Sequence, residues 1–151
     1  MNNIVHDMVV VDASIALKWV LLEKDSNVSM SLLDKWTRER KRIIAPALFV
    51  YEVTNIIYRE ALTGKLTYDE ADKGLTKMFS LGILLKFSLY EEISTQAMKF
   101  AQRFYLPAAY DAHYLALAQS ESCEYWTADT RLWNAIKGKL DWVHWFGEYR
   151  P

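Results

Sequence analysis

Four acidic residues stand where acids are expensive to keep. Asp12 follows directly on the apolar run Met8-Val9-Val10-Val11. Asp129 closes Thr127-Ala128-Asp129, just after the short stretch Glu124-Tyr125-Trp126-Thr127. Glu52 lies in Leu48-Phe49-Val50-Tyr51-Glu52-Val53, and Asp111 in Ala108-Ala109-Tyr110-Asp111-Ala112. Acids with such neighbours are expected to be partly buried, and an unpaired buried carboxylate is strongly disfavoured. No Lys or Arg stands next to Glu52 or Asp111 in the chain. If the four acids converge, their repulsion raises some of their pKa values unless a cation is bound. Hard divalent ions, Mg²⁺ or Mn²⁺, suit an oxygen-only donor set. Such ions activate water and stabilise the leaving oxygen of a phosphodiester. Each acid also has a purely structural use. Asp12 and Asp129 could be helix N-caps, Glu52 could pair with Arg59, and Asp111 could favour a helix dipole from the first turn. The combination is more specific than any one of them.

The elements that would position these acids alternate. Met8-Val9-Val10-Val11 has no polar alternation, as expected of a strand covered on both faces. A helix is predicted over 27–40, with Val28, Leu32, Leu33 and Trp36 as its apolar stripe. Ile43-Ile44-Ala45 is a second strand, stopped by Pro46, and 47–62 is helical. Thr67-Tyr68-Asp69-Glu70 is a capping box that opens a helix to about Ser80. A strand is predicted over 83–86. Ser88-Leu89-Tyr90-Glu91 is a second capping box, opening a helix that Pro107 ends. A helix over 110–120 carries Asp111, a strand covers 124–127, and Asp129 begins a short helix ending near Gly138. Trp142-Val143-His144-Trp145 is an edge strand. Strands alternating with helices imply an α/β fold with a parallel sheet. In such sheets ligands sit beyond the carboxyl ends of the strands, where Asp12 and Asp129 fall.

The chain has 151 residues, 52% of them hydrophobic, which bounds it to one globular domain over 1–151. The formal net charge of -1 speaks against a histone-like or tail-driven nucleic-acid binder, though not against a local basic groove. Bound divalent ions would turn that total mildly positive, so affinity for a polyanion should depend on the metal. The single cysteine, Cys123, excludes a disulfide scaffold and a cysteine-based zinc site. Asn2, Asn3, His6 and Asp7 interrupt the start, so no signal peptide is expected, and no run approaches a membrane span. A cytoplasmic location is expected.

The motifs Val10-Val11-Asp12-Ala13-Ser14, Tyr51-Glu52-Val53-Thr54-Asn55, Tyr110-Asp111-Ala112-His113-Tyr114-Leu115-Ala116-Leu117-Ala118 and Thr127-Ala128-Asp129-Thr130-Arg131-Leu132 occur in this order. In order, spacing and flanking residues the chain resembles PIN-domain proteins, specifically VapC-type toxin ribonucleases, over roughly residues 8 to 145. The resemblance implies a three-layer α/β/α fold with a short central parallel sheet. It implies a Mg²⁺- or Mn²⁺-dependent endoribonuclease of a type II toxin–antitoxin system, with Asp12, Glu52, Asp111 and Asp129 as catalytic and metal-binding acids. It also implies a homodimer, an RNA substrate and a small antitoxin partner. Ser14, Asn55 and Thr127 fall where such proteins carry polar support groups, and could orient ligands or cap the helices that follow.

Lys18, Arg59 and Arg131 are candidates for RNA phosphate contact. The basic run Arg38, Arg40, Lys41 and Arg42 is better read as a solvated helix end. His113 and His144 are read as structural. The aromatic tail 141–146 is read as an edge strand plus a dimer or antitoxin contact, ahead of stacking on RNA. Two other functions compete. One is a non-catalytic binding module for RNA or a protein. The other is an aspartyl-phosphate phosphatase, disfavoured because Ser14 stands where a proton-donating acid belongs.

Overall fold

The sheet grows outward from three valines. In the computed structural model, which describes residues 7–21 and 24–151, strand β1 is Met8–Val11, and Val9, Val10 and Val11 have no exposed surface. β2 (Arg42–Pro46) pairs with one side of β1 and β4 (Glu124–Thr127) with the other. β3 (Leu84–Lys86) and β5 (Val143–Trp145) form the edges. The order is β3-β2-β1-β4-β5, with every pair parallel. Successive side chains point to opposite faces of a strand, so β4 sends Tyr125 and Thr127 one way and Glu124 and Trp126 the other.

Among the described residues seven α-helices flank the sheet: α1 (Ala13–Val20), α2 (Ser26–Arg38), α3 (Leu48–Leu62), α4 (Tyr68–Ser80), α5 (Tyr90–Arg103), α6 (Ala112–Ser120) and α7 (Thr130–Ile136). α6 packs across β1, β2 and β4, with α5 against it. Its Tyr114 ring stacks on Tyr125 of β4. On the other face, Trp36 of α2 meets Trp126 of β4 and Trp19 of α1 edge-on.

Three expectations need correction. Between Asp12 and residue 27 the sequence pattern marks no element, yet α1 forms there. Ala13, Ile15, Ala16, Leu17 and Trp19 are all buried, so the segment lacks the polar face that betrays a helix. The first capping box is present, with Thr67 and Glu70 bonded reciprocally. The second is not. α5 starts at Tyr90 behind Leu89, which takes the left-handed region at φ 60 and makes no side-chain cap. That places Glu91 one residue too early to close a box. Finally, α6 begins at Ala112, so Asp111 lies just before the helix, not within it, and its side chain caps nothing.

The expectation about the first six residues lies outside the described part. Among the described residues no helix is long and apolar enough to cross a membrane.

Candidate active site

Asp12 is tied down by three hydroxyls. One carboxylate oxygen, Oδ1, accepts the Ser14 backbone N–H at 3.0 Å and the Ser14 hydroxyl. The other, Oδ2, accepts the Tyr125 hydroxyl at 2.6 Å and the Thr127 hydroxyl. The first of these bonds caps α1, so the structural use of Asp12 and its place in the site are the same contact. Ser14 Oγ in turn accepts the Ala128 N–H at 2.9 Å, and Thr127 Oγ1 accepts the Asp129 N–H at 3.0 Å. The hydroxyls of Ser14 and Thr127 therefore lace the end of β1 to the turn that carries Asp129. Neither hydroxyl caps a helix. Asp129 itself caps α7, accepting the N–H groups of Arg131 at 2.9 Å and Leu132 at 3.3 Å.

Glu52 reaches the site from α3. Its Oε1 accepts the Tyr114 hydroxyl at 2.6 Å. Tyr114 and Tyr125 lie parallel, 5.8 Å apart at 9°, so two stacked phenols each hold one acid. Burial, followed by the nearby carboxylates, pushes both phenols well above their ordinary pKa and keeps them donors. Sequence reasoning missed both tyrosines. The available signal was a buried polar tip: each sits in a segment otherwise committed to the core, and a buried phenol needs an acceptor.

The electrostatics bind the four acids into one group. Burial raises the pKa of Asp12 despite its donors, and Asp129 adds to the rise. Glu52 is pushed up to about 7, first by burial and then by Asp111, Asp12 and Asp129, against the Tyr114 bond. Asp111 is raised by burial, then by Asp129 and Asp12, with only the Arg131 guanidinium opposing. Carboxylates that raise one another are suited to a shared cation. The donors are hard oxygens, matching Mg²⁺ or Mn²⁺ rather than a thiophilic metal. Among the described residues no three acidic, histidine or cysteine side chains are already closed around a single point. The set fits such an ion by chemistry and charge.

The remaining expected residues divide. Arg131 lines the same cleft as Glu52, Asp111 and Asp129. Asn55 is exposed on α3 and makes no hydrogen bond to the acids among the described residues. Arg59, also exposed, does not pair with Glu52, whose partner is Tyr114. Lys18 lies on α1 with Nζ 5.6 Å from the Phe146 ring centre. Of the basic run only Arg38 lies in α2; Arg40 and Lys41 follow it, with Lys41 3.6 Å from Glu39, and Arg42 opens β2. His113 Nδ1 lies 2.8 Å from the Ala109 carbonyl oxygen, and His144 stacks on Trp126. Much of the aromatic tail is covered by the chain itself: Val143 and Phe146 are buried, Trp142 meets Phe100 and Trp145 stacks on Trp133.

The comparisons with known proteins agree on family and fold. The PIN domain model matches residues 9–138, a span that takes in Asp12, Glu52, Asp111 and Asp129. Exonuclease VapC9 of Pyrobaculum aerophilum is 29% identical over 108 residues, which is 72% of this chain and 77% of that protein. The crystal structure of PAE2754 from Pyrobaculum aerophilum matches with a TM-score of 0.62 at 26% identity, covering 88% of this chain and 89% of that one. With the family model spanning most of its length and the fold shared with that structure, the chain belongs to the PIN domain family.

Proposed function

We propose that this protein is a divalent-metal-dependent nuclease that hydrolyses RNA phosphodiesters, acting as the toxin of a toxin–antitoxin pair. One observation carries the reading. Asp12, Glu52 and Asp111 are raised by burial and by their acidic neighbours, Asp129 among them in each case, and Arg131 opposes the rise at Asp111. Asp12, Glu52, Asp111 and Asp129 would hold Mg²⁺ or Mn²⁺. When bound, such an ion supplies a lowered water pKa and stabilises charge on the leaving oxygen.

The chain's own groups do the positioning. Ser14, Thr127 and Tyr125 fix both oxygens of Asp12. Tyr114 fixes one oxygen of Glu52 and leaves the other available. Arg131, exposed at the rim, is placed to meet a phosphate. An antitoxin partner goes with this reading by likeness to a relative named VapC9, and a homodimer and a cytoplasmic location are proposed with it from the resemblance of the four motifs to VapC-type toxins.

That relative is named an exonuclease, whereas we propose internal cleavage. Circular and linear single-stranded RNA, each incubated with Mg²⁺, Mn²⁺ or EDTA, test both points. Opening of the circle with either metal and none in EDTA is expected. Degradation of the linear strand alone would make the enzyme an exonuclease. No hydrolysis of either, with RNA still bound, would replace the nuclease by the non-catalytic binding module.

A further inference from the structure

Beside the acids lies a cleft of about 420 Å³ whose other lining is of a different kind. Leu106, Pro107 and Leu132 make it apolar, and Tyr105 and Tyr110 stand at it with 92% and 67% of their surface exposed. Single exposed aromatics need no explanation. Two at one apolar cleft, sharing it with Glu52, Asp111, Asp129 and Arg131, do.

The local backbone holds Tyr105 outward. α5 ends with Tyr105 in the left-handed region at φ 54, its N–H donating to Gln102 O at 3.3 Å, and the Leu106 N–H donates to Ala101 O at 2.9 Å. This six-to-one closure is the usual glycine-ended helix stop, here made with a tyrosine. Phe104 turns into the core and stacks on Phe100 at 6.0 Å, so its neighbour faces away.

We infer that this cleft receives a nucleobase adjoining the phosphate held at the acids, with Tyr105 and Tyr110 as its stacking platform. The inference rests on the nuclease reading and sharpens it. A base paired and stacked in a duplex has no free face to offer, so the substrate is single-stranded at this nucleotide. Arg131 takes the phosphate while the aromatic side takes the base, which accounts for a cleft with one charged and one apolar side.

The test compares AMP with ribose 5-phosphate, which lacks the base, titrated by NMR into the full chain with Mg²⁺. AMP should bind roughly ten-fold or more tightly, the scale of one base–aromatic stack. The double variant Tyr105→Ala, Tyr110→Ala should erase that preference, and Tyr105→Phe, Tyr110→Phe should keep it. In cleavage assays the alanine variant should raise KM with kcat little changed. Equal binding of the two ligands, binding of neither, or a preference that survives the alanine variant overturns the inference. A base preference without hydrolysis would leave the cleft assigned and overturn the nuclease reading. Hydrolysis without a base preference would do the reverse.

Discussion

The two ends of the sheet hold acids in opposite states. At the amino end of β4, Glu124 has its carboxylate 3.4 Å from His144 Nε2 and accepts the Trp126 indole N–H at 3.1 Å. These partners hold its pKa down at about 2, His144 most of all, against the burial that would raise it. At the carboxyl end, Asp12, Glu52 and Asp111 are all raised. Asp12 accepts four hydrogen bonds, yet burial, with Asp129 adding to it, still wins. A structural acid is matched to partners that remove its penalty. The acids at the carboxyl end keep theirs, which is the condition under which a divalent ion binds with most gain.

The contrast is broken most severely by neutralising one acid at each end. Asp111→Asn or Asp12→Asn is expected to lower metal-dependent cleavage at least ~100-fold, about 2.7 kcal/mol of barrier, while circular dichroism shows the fold intact. Glu124→Gln should cleave at the wild-type rate. Full activity in both site variants would remove the acids from the chemistry.

Next in size is the pH dependence of the metal-free protein. Glu52 has a folded pKa of about 7 against an ordinary 4.5. Its contribution to stability is therefore fully present below about 4.5 and lost as pH rises through about 7, and Asp12 and Asp111 shift in the same direction. In EDTA the urea midpoint should be lower at pH 8 than at pH 5, and Mg²⁺ should restore more at pH 8. A midpoint in EDTA that rises from pH 5 to pH 8 would contradict this.

A smaller effect is expected from Tyr114→Phe, which keeps the stack on Tyr125 and deletes the donor to Glu52. About 1 kcal/mol of stability should be lost, with a several-fold fall in cleavage. Unchanged values for both would mean the phenol is a spectator. The smallest effect belongs to the other end. Glu124 has a depressed folded pKa, so its stabilisation is present above about 4.5 and lost as pH falls toward about 2. The pair is over a third exposed, so His144→Ala should cost within about 1 kcal/mol and leave cleavage alone.

What the sequence discloses follows from how local each signal is. The valine run of β1, the Thr67 capping box and the acids after β1 and β4 are legible because each depends on residues adjacent in the chain. α1 is hidden because burial on nearly all sides erases its periodicity. The fates of Asn55 and Arg59 turn on helical phase and on what α3 packs against, and neither is local. The stacked pair Tyr114 and Tyr125 is a contact across separate elements. A sequence shows each tyrosine but not the acid it holds. At Asp12 and Asp129 capping a helix and joining the acidic group are not alternatives, since both acids do both.

The measurement closest to the central claim is Mn²⁺ uptake followed by the electron paramagnetic resonance of the free ion, in wild type, Asp111→Asn, Glu52→Gln and Glu124→Gln. The wild type and Glu124→Gln should bind Mn²⁺ alike, and the two site variants should bind it at least ~10-fold more weakly. No uptake by the wild type, or equal uptake by all four proteins, would contradict a shared metal site at the carboxyl end of the sheet.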